Sequence, residues 1–509
     1  VKRPGLALLL AVVPGLAPAA DLVVDAPADA AADLVGDRGT VAVDSTALKA
    51  KAAGYLDAQA ALLGRTNRKI WSWSETSLDE GRSSAELQRL LAANGFKVEA
   101  GVAGMPTAFV ASYGSGRPVI GILAEFDALP GVSQAATGEA APGPNPASGH
   151  ACGHSAFGVG SAGAALAIKQ LIAAGELRGT VKLYGTPAEE TAIGKVYMLR
   201  AGLFKDDDVI FTWHPSSLTL APNGTTMSLV NVKFRFRGTS SHAALQPFAG
   251  RSALDAVELM NVGANYMREH VRDDARIHYV VTDGGGQPNV VPPTAESWYY
   301  IRAYEFGDVV RYFQWLREIA EGAAKMTQTE LASIDVQSET HNVIPVPELV
   351  RLVHSNLTTV GAPQWTEAEL SLARATQMNF GDPSRRTPPA PGTPALSTRI
   401  EPLAEVPSKG ASSSDVGDIS WHVPVANLMV AAYGYGLPAH SWPVVAATGS
   451  SIGDKALVVA AKVIAASAID LYRDPELLQR VREDYRRVRG DAPWQTLIPE
   501  GQAAPASVR

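Results

Sequence analysis

The chain has 509 residues, of which 46% are hydrophobic and 19% charged, and a formal net charge of −7. That length exceeds what one hydrophobic core serves, so two domains are expected. The acidic balance, with no Lys/Arg-rich face or run, gives no electrostatic case for nucleic acid, and a single cysteine excludes an internal disulfide framework.

In chain order, Lys2 and Arg3 precede an apolar stretch from Leu6 to Leu16, and Ala17-Pro18-Ala19 fits a small-residue cleavage site. Residues 1–19 therefore read as a cleaved signal peptide, and the protein as periplasmic or secreted. No later stretch approaches ~18 uninterrupted apolar residues, so no membrane span is expected. Residues 20–44 are Ala/Asp-rich without periodicity and read as a disordered leader. Helices are predicted from Ser45 to near Leu63 and from Ser84 to Asn94. Strands at Phe109–Tyr113 and Pro118–Ala124 are separated by the turn Gly114-Ser115-Gly116. A small-residue, apolar helix follows over Phe157–Ala174, then strands at Thr180–Tyr184 and Asp208–Trp213. Short apolar strands alternating with helices predict an α/β sheet with ligands at the strand ends.

The pattern changes at Val230, where Val230, Val232, Phe234 and Phe236 alternate with polar residues up to Gly238. A helix over Ser252–Val271, strands at Ile277–Thr282 and Ser297–Tyr304, a helix over Asp308–Thr327 and a strand over Ala332–Glu339 follow. The order β-α-β-β-α-β is that of a ferredoxin-like sandwich, placed as an inserted lid and dimerisation domain at 228–342. The first domain is then discontinuous, 45–227 and 343–495. Its second half is expected to hold a helix from Glu348, a Pro/Ser/Thr-rich surface loop around Pro383–Thr398 and a strand over Met429–Tyr433. An apolar helix over Ile452–Leu471, capped by Ser450-Ser451, and a charged helix over Glu476–Arg489 follow. Residues 496–509 read as a frayed tail. The fold class is α/β, a mixed-sheet domain carrying an inserted βαββαβ domain.

The chemistry concentrates in His150-Ala151-Cys152-Gly153-His154 and Pro187-Ala188-Glu189-Glu190. Thiolate, imidazole and carboxylate are the side chains that bind divalent transition metals. Two ions with a shared ligand need about four to six donors from several strands, and the candidates are Cys152, His154, Glu190, His214 and His440. Glu189, beside a ligand carboxylate, is placed to be the base that takes a proton from a bridging water. A lone cysteine is most often a small buried hydrophobe, and adjacent glutamates are usually solvated. Their convergence at successive strand ends is what argues for a site. Gly158-Val-Gly-Ser-Ala-Gly163 formally matches a dinucleotide fingerprint, but no strand precedes it, so small-residue helix packing is the expectation. The absence of a Gly-x-Ser-x-Gly elbow disfavours a serine hydrolase.

The segments Ala124-Glu-Phe-Asp-Ala-Leu-Pro-Gly131, Gly149-His-Ala-Cys-Gly-His154 and Gly185-Thr-Pro-Ala-Glu-Glu190 resemble the M20 metallopeptidase and amidohydrolase superfamily. Gly194-Lys-Val-Tyr-Met198, Trp213-His-Pro215 and Gly250–Met260 are similar to its aminobenzoyl-glutamate hydrolase B-subunit branch. The resemblance spans roughly residues 45–495. It implies a metal-dependent hydrolase of small-molecule amides, with aminobenzoyl-glutamate-like compounds, N-acyl amino acids or dipeptides as substrates. It also implies two divalent ions, Mn²⁺ or Zn²⁺, held by Cys152, His154, Glu190, His214 and His440, with Glu189 as base. Further roles carried by the resemblance are His242 as a carbonyl-polarising lid histidine acting across a homodimer interface, and Asn289 as a lid residue binding substrate. Asp127 orients a ligand or the base, and Arg302 is a looser candidate for gripping a substrate carboxylate. Glu125 is left as structural, and Asp415 as a neighbour of the centre. The alternative is a non-catalytic binding protein for acyl amino acids on the same fold.

Overall fold

The computed structural model describes residues 45–381, 392 and 394–506. The expected signal peptide, the leader and residues 382–391 and 393 of the Pro-rich tract lie outside the described residues.

Six strands make the first sheet: Lys97–Ala100 (β1), Phe109–Ser115 (β2), Val119–Ala124 (β3), Gly179–Gly185 (β6), Val209–Ser216 (β7) and Val425–Ala431 (β14). Two short pairs are separate from it, Leu129–Pro130 (β4) with Ser148–Gly149 (β5), and Gly224–Thr225 (β8) with Ser408–Lys409 (β13). The order is β1-β2-β6-β3-β7-β14. β6, β3, β7 and β14 are parallel, while β2 runs against both of its neighbours. β3 is Val-Ile-Gly-Ile-Leu-Ala and buried throughout, the continuous apolar run required of a parallel strand covered on both faces.

Three helices, Ser45–Trp73 (α1), His154–Ala173 (α3) and Ser451–Arg473 (α11), pack on one another and share the main core with that sheet. Around them lie Gly81–Ala93 (α2), Gly194–Arg200 (α4), Pro347–Val360 (α7), Glu367–Asn379 (α8), Val416–Ser420 (α9), Trp442–Thr448 (α10) and Pro475–Arg489 (α12). α1 runs ten residues past the predicted end near Leu63. It passes through Gly64, a close-approach residue where a Cβ would stand 2.8 Å from Asp454 Oδ2. α3 is the helix of small residues. A Cβ at Gly158 would lie 2.6 Å from the Glu125 carbonyl oxygen, and one at Gly160 would lie 2.9 Å from the Trp213 ring. Its fingerprint-like glycines therefore serve packing. Among the described residues α3 alone is long and apolar enough to cross a membrane, and it is buried in this core. Ser450 caps α11 by accepting a hydrogen bond from the Ile452 N–H.

The second sheet consists of Ser228–Arg237 (β9), Arg276–Asp283 (β10), Thr294–Ala303 (β11) and Glu330–Thr340 (β12), antiparallel in the order β10-β11-β9-β12. Ala253–Met267 (α5) and Phe306–Thr327 (α6) follow β9 and β11 and pack on it, giving the βαββαβ order read from the sequence. β11 alternates strictly. Ala295, Ser297, Tyr299, Ile301 and Ala303 are buried, whereas Glu296, Trp298, Tyr300 and Arg302 lie on the other, partly open face.

The frayed tail expected after residue 495 is not what the structure shows. Ile498 is buried, the Leu497 N–H donates to Glu339, and the Gln502 amide donates to Tyr197 Oη and to the Val336 carbonyl. Leu497 and Ile498 supply apolar contacts that the surrounding Pro/Ala composition concealed. The strand expected over Met429–Tyr433 likewise starts earlier, at Val425.

Gly160→Val should overpack α3 against Trp213 and lower stability by about 1–3 kcal/mol. A urea titration followed by tryptophan fluorescence would read this as a lower midpoint, and an unchanged midpoint would count against close packing as the role of these glycines.

Candidate metal centre

Five segments meet at the C-terminal ends of the parallel strands, where open α/β sheets bind ligands. Glu125 and Asp127 follow β3. Cys152 and His154 follow β5, with His154 opening α3. Glu189 and Glu190 lie in a single 3₁₀ turn, Glu189–Thr191, after β6. His214 is on β7, and His440 is in the loop after β14.

Two donor sets form, Cys152 with His154 and His214, and Cys152 with Glu190 and His440, each with ligand atoms mutually within 4.8 Å. Cys152 is common to both. The Cys152 sulfur lies 3.3 Å from His214 Nε2, and His440 Nε2 lies 3.4 Å from Glu190 Oε2. Glu125, His154 and Glu189 make a third set. All five predicted metal ligands and the predicted base are thus brought together.

Hydrogen bonds set the tautomers. His214 Nδ1 lies 2.7 Å from the Pro215 carbonyl oxygen and must donate to it, which leaves Nε2 as a bare lone pair facing Cys152. His154 Nδ1 lies 2.9 Å from Asp127 Oδ1, so the carboxylate orients the ring with Nε2 turned inward. Burial pushes His214 down to about 4, keeping it neutral as a ligand must be.

The charge balance indicates what belongs here. Glu125, Asp127, Glu190 and Asp415 are buried, and Glu189 is mostly so. Lys195 Nζ bonds Glu125 at 2.8 Å and Asp415 at 2.5 Å, leaving negative charge in excess. Burial raises Glu190 well above the carboxylate range and raises Glu125 to about 8 despite Lys195. Burial, reinforced by Glu190, holds the Cys152 thiol well above its ordinary value. Glu125 Oε2, His154 Nε2 and Glu190 Oε1 are buried with no hydrogen-bond partner. Orphaned donors and excess buried anions are costly unless a cation completes them, so the residues present fit divalent ions.

The turn bearing Glu189 and Glu190 is strained. Ala188 at φ 57° and Ala192 at φ 55° flank it in the left-handed region, at about 1–3 kcal/mol each. Buried side chains hold it. Glu80 accepts the Ala188 N–H at 2.9 Å and Asp127 accepts the Glu190 N–H at 3.0 Å. The Thr191 carbonyl accepts from Asn231 Nδ2 at 3.0 Å and from Ser338 Oγ at 2.9 Å, both on the second sheet. Asp415 accepts the Lys195 N–H at 2.9 Å just beyond.

His242 and Asn289 do not join this cluster within one chain. Both are exposed, on loops tied by the Ala243 N–H to Asn289 carbonyl bond of 3.0 Å. His242 Nδ1 accepts from the Ala244 and Leu245 N–H groups at 3.3 and 3.2 Å, so its proton sits on Nε2. Arg302 lies on the open face of β11. Its Nε is buried without a partner, and burial lowers its pKa against the opposing pull of Tyr300 and Glu189. Sequence reasoning left Glu125 without a role and overlooked Lys195, Glu80, Asn231 and Ser338. The available signal for Asn231 was an amide interrupting the apolar run Leu229–Val232, which is buried on both faces.

The family model "Peptidase family M20/M25/M40" matches residues 121–503. The chain is 36% identical over 453 residues to the B-subunit of p-aminobenzoyl-glutamate hydrolase from Escherichia coli (strain K12), covering 85% of this chain and 93% of that one. It is 28% identical to Xaa-Arg dipeptidase of Mus musculus, covering 86% and 92%. A solved Bacillus subtilis structure described as a dinuclear metal binding peptidase from the M20 family superposes with a TM-score of 0.53 at 19% identity, covering 82% of this chain and 99% of that one.

Asn231→Ala should remove one of the two donors to the Thr191 carbonyl and strand the Trp298 N–H, lowering stability by about 1–3 kcal/mol. Ala192→Gly, which takes positive φ without strain, should recover part of that loss in the double variant. Denaturant midpoints of the single and double variants check it, and a lack of any recovery would show that the turn is not under load.

Proposed function

The chain belongs to peptidase family M20/M25/M40, and we propose that it is a two-metal amidohydrolase cleaving aminobenzoyl-glutamate-like amides, N-acyl amino acids or dipeptides. The pair of donor sets sharing Cys152 carries the reading. Cys152, His154 and His214 would hold one divalent ion, and Cys152, Glu190 and His440 the other. Bound there, such ions polarise a carbonyl and lower the pKa of a water.

The chain's own groups do the rest. Glu189, whose carboxylate lies 3.9 Å from His154 Nε2, takes a proton from the attacking water and delivers it to the leaving amine. The amide and water thus become a carboxylic acid and an amine. Asp127 holds His154 in its ligand tautomer and steadies the Glu190 backbone. The second sheet and its helices, 228–342, act as a lid in a homodimer. From there His242 serves the partner's site, because its Nε2 proton is the one that donates to a carbonyl oxygen gaining charge. Asn289, on the adjoining loop, helps bind that substrate. Arg302 grips the substrate carboxylate with its guanidinium fork. A shared thiolate favours zinc by softness, while the carboxylate and imidazole donors accept manganese.

Hydrolysis of aminobenzoyl-glutamate, N-acyl amino acids and dipeptides, assayed after EDTA and after return of Mn²⁺ or Zn²⁺, tests the proposal. Loss and metal-dependent recovery of amine release are expected. Two bound ions with silence on every substrate would favour a binding protein instead.

Glu189→Gln should retain both metals and the fold while losing about 10²–10⁴-fold in kcat. Full turnover would remove it as the base. Cys152→Ser should lower metal content below that of the wild type after dialysis, because a hydroxyl is a poor ligand beside a thiolate. Unchanged stoichiometry by elemental analysis would remove Cys152 from the centre.

A further inference from the structure

The segment after α12 bridges α4 and β12, and the catalytic scheme gives it nothing to do. Leu497 and Ile498 pack into the second core, where Ile498 is buried. The Leu497 N–H donates to Glu339 of β12 at 2.5 Å. Arg200, at the end of α4, donates to the Ile498 and Pro499 carbonyls at 3.3 and 2.7 Å. The two elements meet most closely at Gln502. Its Nε2 donates to Tyr197 Oη on α4 at 3.0 Å and to the Val336 carbonyl on β12 at 2.8 Å. Tyr197 Oη in turn donates to the Gln337 carbonyl at 3.1 Å.

Gln337 is the extra residue of a β-bulge, since Val336 pairs with Val232 and Ser338 pairs with Asn231 of β9. A bulge leaves one residue out of the ladder and re-aims the side chains beside it. Here the residue left out is held by Tyr197. The next one, Ser338, donates to the Thr191 carbonyl at 2.9 Å. Asn231, opposite it in register, donates to the same carbonyl at 3.0 Å. α4 meets the Glu189–Thr191 turn from the other side. It starts at Gly194, where a Cβ would stand 1.8 Å from the Pro187 carbonyl oxygen, so the helix start is pressed against the turn's entry. The Ile193 N–H also donates to the Ala188 carbonyl at 3.1 Å. The turn is thus held between α4 and β12, and Tyr197 and Gln502 fasten those two elements to each other.

We propose that Tyr197 and Gln502 are positioning residues, which lock the Gln337 bulge so that Ser338 keeps the turn bearing Glu189 and Glu190 in place. The proposal rests on the amidohydrolase reading for what the turn does, and on the contacts alone for what holds it. Neither residue belongs to a donor set. Both act through Ser338 and the Thr191 carbonyl. A strained turn needs surroundings that over-determine it, and this lock supplies one of those constraints from a segment distant in sequence.

Two variants of the full chain open the lock at little change in bulk. Gln502→Met removes the amide donor, and Tyr197→Phe removes the hydroxyl. Amide hydrogen exchange, read by mass spectrometry, compares residues 186–194 with β3 as an internal control. Exchange in the turn should rise about fivefold or more in both variants while β3 stays unchanged. On the metal-loaded enzyme, kcat for an amide it cleaves should fall about tenfold with KM held within about twofold, because a displaced base costs turnover rather than binding. Ser338→Ala should show the same split, and adding Gln502→Met to it should cost little more, since both act through one contact. Unchanged turn exchange in both variants, or a rise shared equally by β3, overturns the proposal. Faster exchange with kcat within about twofold of an active wild type overturns it as well. If the wild type cleaves no amide, the amidohydrolase reading falls, and the exchange comparison still decides whether the lock holds the turn.

Discussion

The molecule is organised around a concentration of negative charge that its own residues do not neutralise. Four buried carboxylates, Glu189 and a thiol converge at the strand ends, while Lys195 answers Glu125 and Asp415. Isolated buried charges cost several kcal/mol each, even after relaxation. A fold retains such a cluster where a cation completes it. The inward Nε2 atoms of His154 and His214, each opposite a hydrogen bond on the other ring nitrogen, point the same way. Metal binding and the integrity of the strand-end loops are therefore one thermodynamic problem, since binding to the native state alone adds to its stability.

The second sheet takes part in solving it. Thr191 is gripped by Asn231 and Ser338, while Glu80 and Asp127 hold the other side of the same turn. A turn flanked by two alanines at positive φ persists only when its surroundings over-determine it. The strained turn fixes where Glu189 points, and its anchoring by Asn231 and Ser338 ties that position to the second sheet. Trp298 on the open face of β11 and the turn bearing Glu189 are then joined through one residue, Asn231.

Much of this was legible in the sequence because period and residue type agreed. β3 and the βαββαβ order follow from apolar runs and alternation, and the grouping of Cys152, His154, Glu190, His214 and His440 with Glu189, which the structure brings together, follows from donor chemistry at predicted strand ends. What escaped was long-range. α1 runs past Leu63 to Trp73 packed on α11, whose Asp454 sits against Gly64. The Lys195 clamp joins residues 220 apart in sequence, and the tail docks beside Glu339 through a few apolar contacts in a Pro/Ala context. His242 and Asn289 were named from resemblance. Both lie on exposed loops away from the donor cluster, so local pattern offered nothing to assign them.

The glycines of α3 tie the core to the centre. A parallel sheet places its loops where metals can sit, but only if the helix starting at His154 lies close enough for its first residue to reach the cluster. Close approach is what Gly158 and Gly160 permit, with the Glu125 carbonyl and the Trp213 ring occupying the space a side chain would take. Glu125 and His154 are thereby brought to 3.2 Å across the helix–strand contact. Trp213 precedes the candidate ligand His214 and donates its indole N–H to the Phe157 carbonyl on the same helix. The stretch that imitates a nucleotide fingerprint is thus the packing surface that sets the distance between Glu125 and His154. Small residues there serve the convergence of the candidate donors as much as the core.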